Sequence, residues 1–137
     1  MSETTRDLFF YGLFMDAAIL REKGVNPLRP RKAVVPGFRL RIGGRALLVP
    51  QFGAQAYGMV FALTEREIAA LYAGPDLELY RPESVIASFE DGTFGAVTTF
   101  NLGATHASSE VNREYATKLQ VVLERLGFPT DIVQFTR

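Results

Sequence analysis

Cysteine is absent from this chain and histidine occurs once, at His106. Thiolate nucleophiles, disulfides, cysteine-based metal sites and any site that needs two imidazoles are thereby excluded. What remains for chemistry is carboxylates, phenols, cationic side chains and the backbone itself. The stretch "DLFFYGLFMD", residues 7 to 16, uses the backbone most suggestively. Leu8 to Tyr11 reads as a short buried strand, Gly12 allows a close turn, and Asp16 stands where it can cap a helix over Ala17 to Lys23. In that arrangement the N–H groups of Gly12, Leu13, Phe14 and Met15 succeed one another round a turn and can face a carboxylate or an oxyanion. The same residues also read as a plain strand-to-helix turn that packs Phe10, Leu13 and Phe14 into a core. His106, in the loop "GATHASS", reads as a solvated imidazole. Tyr72, Tyr80 and Tyr115 read as core or pocket-wall aromatics whose hydroxyls need polar partners when buried.

The elements that must position these groups follow from pattern. Gly24 sits at the left-handed end expected of the first helix, and Pro27 and Pro30 mark a loop. Three strands are expected at about 32 to 42, 45 to 49 and 55 to 63, with Gly43-Gly44 as a hairpin signal between the first two. Thr64-Glu65-Arg66-Glu67 has the form of a capping box, and Ile68, Leu71 and Tyr72 continue it at helical spacing until Gly74-Pro75. Strands at about 82 to 89 and 94 to 101 flank Asp91-Gly92, a hairpin dipeptide. Val111, Tyr115, Leu119, Val122 and Leu126 form the stripe of a last helix from Ser109 to about Leu126, ended by Gly127 and Pro129. The order is strand, short helix, three strands, helix, two strands, helix. It lacks the βαβ alternation of a doubly wound sheet and any glycine-rich nucleotide loop. The expected class is α+β: a small closed or nearly closed mixed β-barrel with flanking helices, one domain over residues 1–137.

Fifteen Lys and Arg balance fifteen Asp and Glu, so no net field draws the chain to nucleic acid or to an anionic membrane. The local basic cluster of Arg29, Arg31, Lys32, Arg39, Arg41 and Arg45 reads as a solvated sheet face, because Phe38, Leu40 and Ile42 alternate with Arg39 and Arg41. A polyanion-binding face is the other reading of it. The polar residues Met1 to Asp7 lack the apolar run of a signal peptide, and no apolar run approaches the ~20 residues of a membrane span. A cytoplasmic protein is expected, with no membrane or nucleic-acid partner.

"FFYGLFMDAAIL" resembles the N-terminal "Y-F-A-Y-G-S-N-M-D-P" type segment of the γ-glutamylcyclotransferase-like family. "PGFRLRI" is similar to the strand after that family's first helix, and "AYGMVFALTEREIAAL" to its "V-x-G-x-x-Y-x-L-t" strand and helix. "LYRPESV" resembles its "Y-x-R-x-x-V" strand, and "YATKLQVVLERLGFPTDIVQF" its C-terminal "GLPxxY" end. Order and spacing hold over about 120 residues. The resemblance implies a small barrel with a pocket at one end, a small-molecule ligand carrying a γ-glutamyl or other anionic group, and no metal or cofactor. It also implies a reaction: the α-amine of a γ-glutamyl group attacks its own γ-carbonyl and yields 5-oxoproline. A carboxylate must take the ammonium proton and return it to the leaving amine. Tyr11, Gly12, Leu13, Phe14, Met15 and Tyr80 are the substrate-binding residues that the resemblance implies.

Two departures bear on the activity. Leu13-Phe14 replaces the family's hydroxyl and amide side chains with apolar bulk, which leaves only backbone donors there. The family's general-base glutamate belongs to a "L-D-x-x-E-G" pattern, where this chain has "LYAGPDLELYR", residues 71 to 81. An ungapped match puts Pro75 at the glutamate, and a match on Gly74-Pro75 puts Ala73 there. Glu78 and Asp76 are the nearest carboxylates, as a catalytic base on a re-routed loop or as solvated loop acids. The alternative to an enzyme is a catalytically silent domain that keeps the pocket and recognises a small anionic or γ-glutamyl-like ligand.

Overall fold

A computed structural model describes residues 4–43, 45–74, 77, 79–102 and 112–129. Five strands close into a barrel in the order β1-β3-β2-β4-β5. They are β1 Thr5–Phe10, β2 Leu28–Ile42, β3 Ala46–Thr64, β4 Arg81–Phe89 and β5 Phe94–Asn101. All pairings are antiparallel except the seam of β1 with β5, which is parallel through Leu8 and Thr98. The sheet is therefore mixed, and closure leaves it no open edge. Among the described residues three α-helices flank it: α1 Ala17–Glu22, α2 Glu65–Leu71 and α3 Arg113–Leu126. The architecture is the expected α+β barrel.

One apolar core runs through the barrel and out beneath the helices. Phe9, Phe61, Leu63 and Val60 fill it from the strands, and Leu20, Leu119 and Leu123 from the helices. Each such side chain contributes roughly 1.5–3 kcal/mol on burial. The alternation expected in β2 is observed, since Leu40 and Ile42 are buried while Arg39 is exposed with its Nε on Gln51 Oε1 at 2.7 Å.

Two strand boundaries differ from expectation for identifiable reasons. The segments at about 45 to 49 and 55 to 63 are one strand, β3, because the break at Pro50 to Gly53 is absorbed within the ladder: Pro36 pairs with Gln55 and Phe38 with Pro50. The surplus residues bulge outward there, with Gly37 and Gly53 both at positive φ and Phe52 wholly exposed. The Pro27 to Pro30 segment is not all loop, since β2 begins at Leu28. A register shift between Leu28 and Arg31 places Pro30 in a bulge, where a missing N–H costs no ladder bond.

Helix ends follow the sequence closely. Asp16 Oδ1 accepts from Ala18 N, and Thr64 and Glu67 form the reciprocal capping box. The last helix starts at Arg113 with Asn112 as its cap, Oδ1 taking Tyr115 N at 3.0 Å. Ser109 and Val111, expected in that helix, lie outside the described residues. Its end is a Schellman motif, with Phe128 N on Leu123 O at 2.9 Å and Gly127 in the left-handed region. Among the described residues, no helix is long and apolar enough to cross a membrane.

Candidate functional site

A cavity of about 520 Å³ opens where β1 ends. Its wall begins with the loop that the opening motif encodes. After Phe10 the chain leaves the sheet, and Leu13–Met15 form a single 3-10 turn before Asp16 caps α1. The turn closes on itself through Met15 N to Gly12 O and Asp16 N to Leu13 O, both 3.0 Å. Tyr11, Gly12, Leu13, Phe14 and Tyr80 line the cavity, as do Tyr72, Phe100 and Tyr115.

Met15 is placed differently from the expectation. It is 1% exposed, packs in the core and is not part of the cavity wall, and its amide is committed to Gly12. The amide of Leu13 is also taken, by Tyr115 Oη at 3.0 Å. Two of the four successive amides are thus engaged within the protein. Those of Gly12 and Phe14 have no acceptor among the described residues.

Gly12 is needed for a reason other than a special backbone angle. Its φ of −113° and ψ of −153° are extended values that any residue adopts. A Cβ there, however, would collide with Tyr115 Oη. The glycine makes room for the phenol.

The phenols divide by what their protons do. Tyr11 Oη donates to Phe100 O at 3.0 Å, and Tyr80 Oη donates to Ala46 O. Tyr115 Oη accepts from Leu13, which leaves its own proton without an acceptor among the described residues; Tyr72 Oη has no protein partner among them either. Burial pushes all four phenols up from the ordinary tyrosine value, reinforced at Tyr11 and Tyr72 by neighbouring phenols and offset in part at Tyr115 by the Leu13 amide. At neutral pH these groups are hydrogen-bond donors and not bases.

Asn101 anchors the far side. Its Oδ1 receives Leu48 N at 2.9 Å and Leu102 N at 3.0 Å, and its Nδ2 donates to Leu48 O and to Glu83 Oε2. This buttress holds the β5 end, and hence the Phe100 carbonyl that Tyr11 uses. Sequence reasoning missed Asn101; the only signal was a polar side chain two residues beyond the buried Thr99 on an inward register. Lys23, Arg45 and Asn112 also line the cavity and were missed, because each arrives from a different loop or helix end.

No aspartate or glutamate is among the described wall residues. Asp76 and Glu78, the expected catalytic carboxylates, lie outside the described residues. Leu77 between them does line the cavity. No group of three His, Asp or Glu side chains that could hold a metal ion occurs among the described residues.

No protein-family profile and no curated protein matches the sequence. Solved structures do match. A γ-glutamyl cyclotransferase aligns with a TM-score of 0.74 at 15% identity, over 94% of this chain and 84% of that one. An uncharacterised human protein aligns with a TM-score of 0.76 at 16% identity, over 96% and 85%. An AIG2-like protein from Mus musculus gives 0.59 at 16% identity, over 77% and 81%. Identities this low establish a shared fold and leave the chemistry to the residues.

Proposed function

We propose that this chain, which has the fold of the γ-glutamyl cyclotransferase-like proteins, takes a γ-glutamyl amine or γ-glutamyl amino acid into the cavity and releases 5-oxoproline from it. The observation that carries this reading is the wall formed by Gly12 to Phe14, where the amides of Gly12 and Phe14 have no acceptor among the described residues and the Tyr115 hydroxyl, from α3, holds the amide between them. Such donors suit a carboxylate, or the oxygen that gains charge when the γ-carbonyl is attacked.

In this reading the substrate α-amine, once deprotonated, forms the new N–C bond to its γ-carbonyl carbon, and the carbonyl electron pair moves to oxygen. Collapse of that intermediate breaks the bond to the leaving nitrogen, which takes up a proton. The phenols stay protonated, and Tyr72 and Tyr115, whose protons have no acceptor among the described residues, donate. Asp76 or Glu78, flanking the wall residue Leu77, carries the proton from the amine to the leaving group.

A second reading, a binding domain without turnover, is favoured by one specific observation. Every ionisable or hydroxyl side chain on the described wall is a donor or a cation: Lys23, Arg45 and the four tyrosines. A donor-lined pocket binds an anion without moving protons. A panel of γ-glutamyl dipeptides and γ-glutamyl amines, assayed for 5-oxoproline release and by titration calorimetry, separates the two. Release supports the enzyme, binding without release supports the binding domain, and neither overturns both.

A further inference from the structure

Resting on the reading of this cavity as a γ-glutamyl site, we infer that Asn101 is a positioning residue for it. Through two backbone carbonyls Asn101 commits the protons of Tyr11 and Tyr80, and so leaves the oxygens of these wall phenols to receive the ammonium of the ligand.

The Asn101 side chain joins two parts of the barrel that no backbone ladder joins. β3 pairs with β1 and β2, whereas β5 pairs with β1 and β4. Between them Asn101 does what a strand residue would: Oδ1 accepts from Leu48 N at 2.9 Å while Nδ2 donates to Leu48 O at 3.0 Å. Oδ1 also accepts from Leu102 N at 3.0 Å, and Nδ2 donates to Glu83 Oε2 at 3.2 Å. Both amide hydrogens are used, and rotation of the side chain would break all four bonds.

Each side of this joint carries the acceptor for one wall phenol. Tyr11 Oη donates at 3.0 Å to the carbonyl of Phe100, the residue before Asn101, and stands 3.4 Å from Asn101 Oδ1 itself. Tyr80 Oη donates to the carbonyl of Ala46, two residues before Leu48. Carbonyls two apart on a strand face the same edge, so the pairing that fixes Leu48 also aims Ala46 O. A phenol with its proton so committed meets a ligand only through its lone pairs. Tyr11 and Tyr80 both line the cavity, and burial keeps both protonated at neutral pH. They therefore accept from a ligand N–H, while the protons of Tyr72 and Tyr115 remain for its oxygens. In a γ-glutamyl compound the charged donor is the α-ammonium.

The test has two readouts on the full chain. With tyrosine labelled at Cζ for NMR, Asn101→Ala should move the Tyr11 and Tyr80 resonances and leave those of Tyr72 and Tyr115. By calorimetry, the wild-type protein should bind γ-glutamyl-L-alanine about tenfold or more tightly than N-glutaryl-L-alanine, which differs only in lacking the α-amine. Asn101→Ala should shrink that preference about three- to tenfold while changing the affinity for the glutaryl compound by less than about twofold. A merely structural loss would weaken both alike. Asn101→Asp, which keeps Oδ1 and loses the donor to Leu48 O, should give the same two changes and serves where the alanine variant does not fold. Unmoved Tyr11 and Tyr80 resonances, or a preference for the amine that survives in a folded variant, overturn the inference and leave the γ-glutamyl reading standing. Selective binding that responds to Asn101 as described, without 5-oxoproline release, sinks the enzyme and leaves the inference standing. Absence of wild-type binding to either compound, and to the rest of the γ-glutamyl panel, sinks both.

Discussion

Tyr115 Oη accepts a 3.0 Å hydrogen bond from Leu13 N, across 102 residues of chain, in the space that Gly12 leaves by having no side chain. The last helix is thereby fastened to the loop that forms the cavity wall. Tyr115 is held in turn by the start of α3, where Asn112 takes its amide and donates its own N–H to Gly43 O at 2.8 Å.

Tyr115→Phe removes the acceptor and should cost about 1 kcal/mol, the usual net value of such a bond. Gly12→Ala alone should cost more, since the new methyl must displace the phenol and break the same bond. The ring carbon behind the hydroxyl is 3.6 Å from that methyl position, an ordinary contact. Gly12→Ala should therefore be much cheaper in the Tyr115→Phe background, with a coupling of about 1 kcal/mol or more from urea melts of the four proteins. Additive costs would show that the glycine serves some other purpose.

Four phenols whose ionisation burial raises should set the alkaline limit of stability. Tyr11, Tyr72, Tyr80 and Tyr115 each hold their proton more tightly in the folded chain, burial being the chief cause. A raised folded value means full stability below the unfolded value near 10.0 and a loss as pH climbs from there towards the folded values. Tyrosinate absorbance should thus rise cooperatively with loss of circular dichroism above about pH 10. A tyrosinate signal that is complete while the fold persists would contradict this.

Much of the barrel was legible because its signals are local. Thr64 and Glu67 are three residues apart, Asp91-Gly92 joins neighbouring strands, and the period of Leu119, Val122 and Leu126 needs only the helix itself. The merger of two segments into β3 was hidden because Pro50 and Gly53 are breakers by type, and only the partner strand shows that they form a bulge. The site was legible in part. Tyr11 to Phe14 lie on one short stretch, but the reason for Gly12 is a hydroxyl from the opposite end of the chain. Lys23, Arg45 and Asn112 come together only once the barrel closes, and no spacing along the sequence could announce it.

The proposed reaction needs a carboxylate that the described wall does not supply. The described wall offers donors and cations only, and the phenols, held protonated by burial, cannot accept the ammonium proton at neutral pH. The proposed reaction takes its carboxylate from the segment around Leu77, a residue that lines the cavity. Glu78 stands two residues before Tyr80, a cavity residue, whereas Asp76 directly follows Gly74-Pro75. With a γ-glutamyl substrate that releases 5-oxoproline, Glu78→Gln should lower kcat about 10²- to 10⁴-fold, the usual cost of a positioned general base, and Asp76→Asn should lower it less. Both variants are compared at equal thermal stability, and calorimetric affinity separates loss of chemistry from loss of binding. A large fall with Asp76→Asn alone moves the role to Asp76. Robust activity unaffected by either change would remove both carboxylates from the mechanism, and with them the proton path proposed for this cavity.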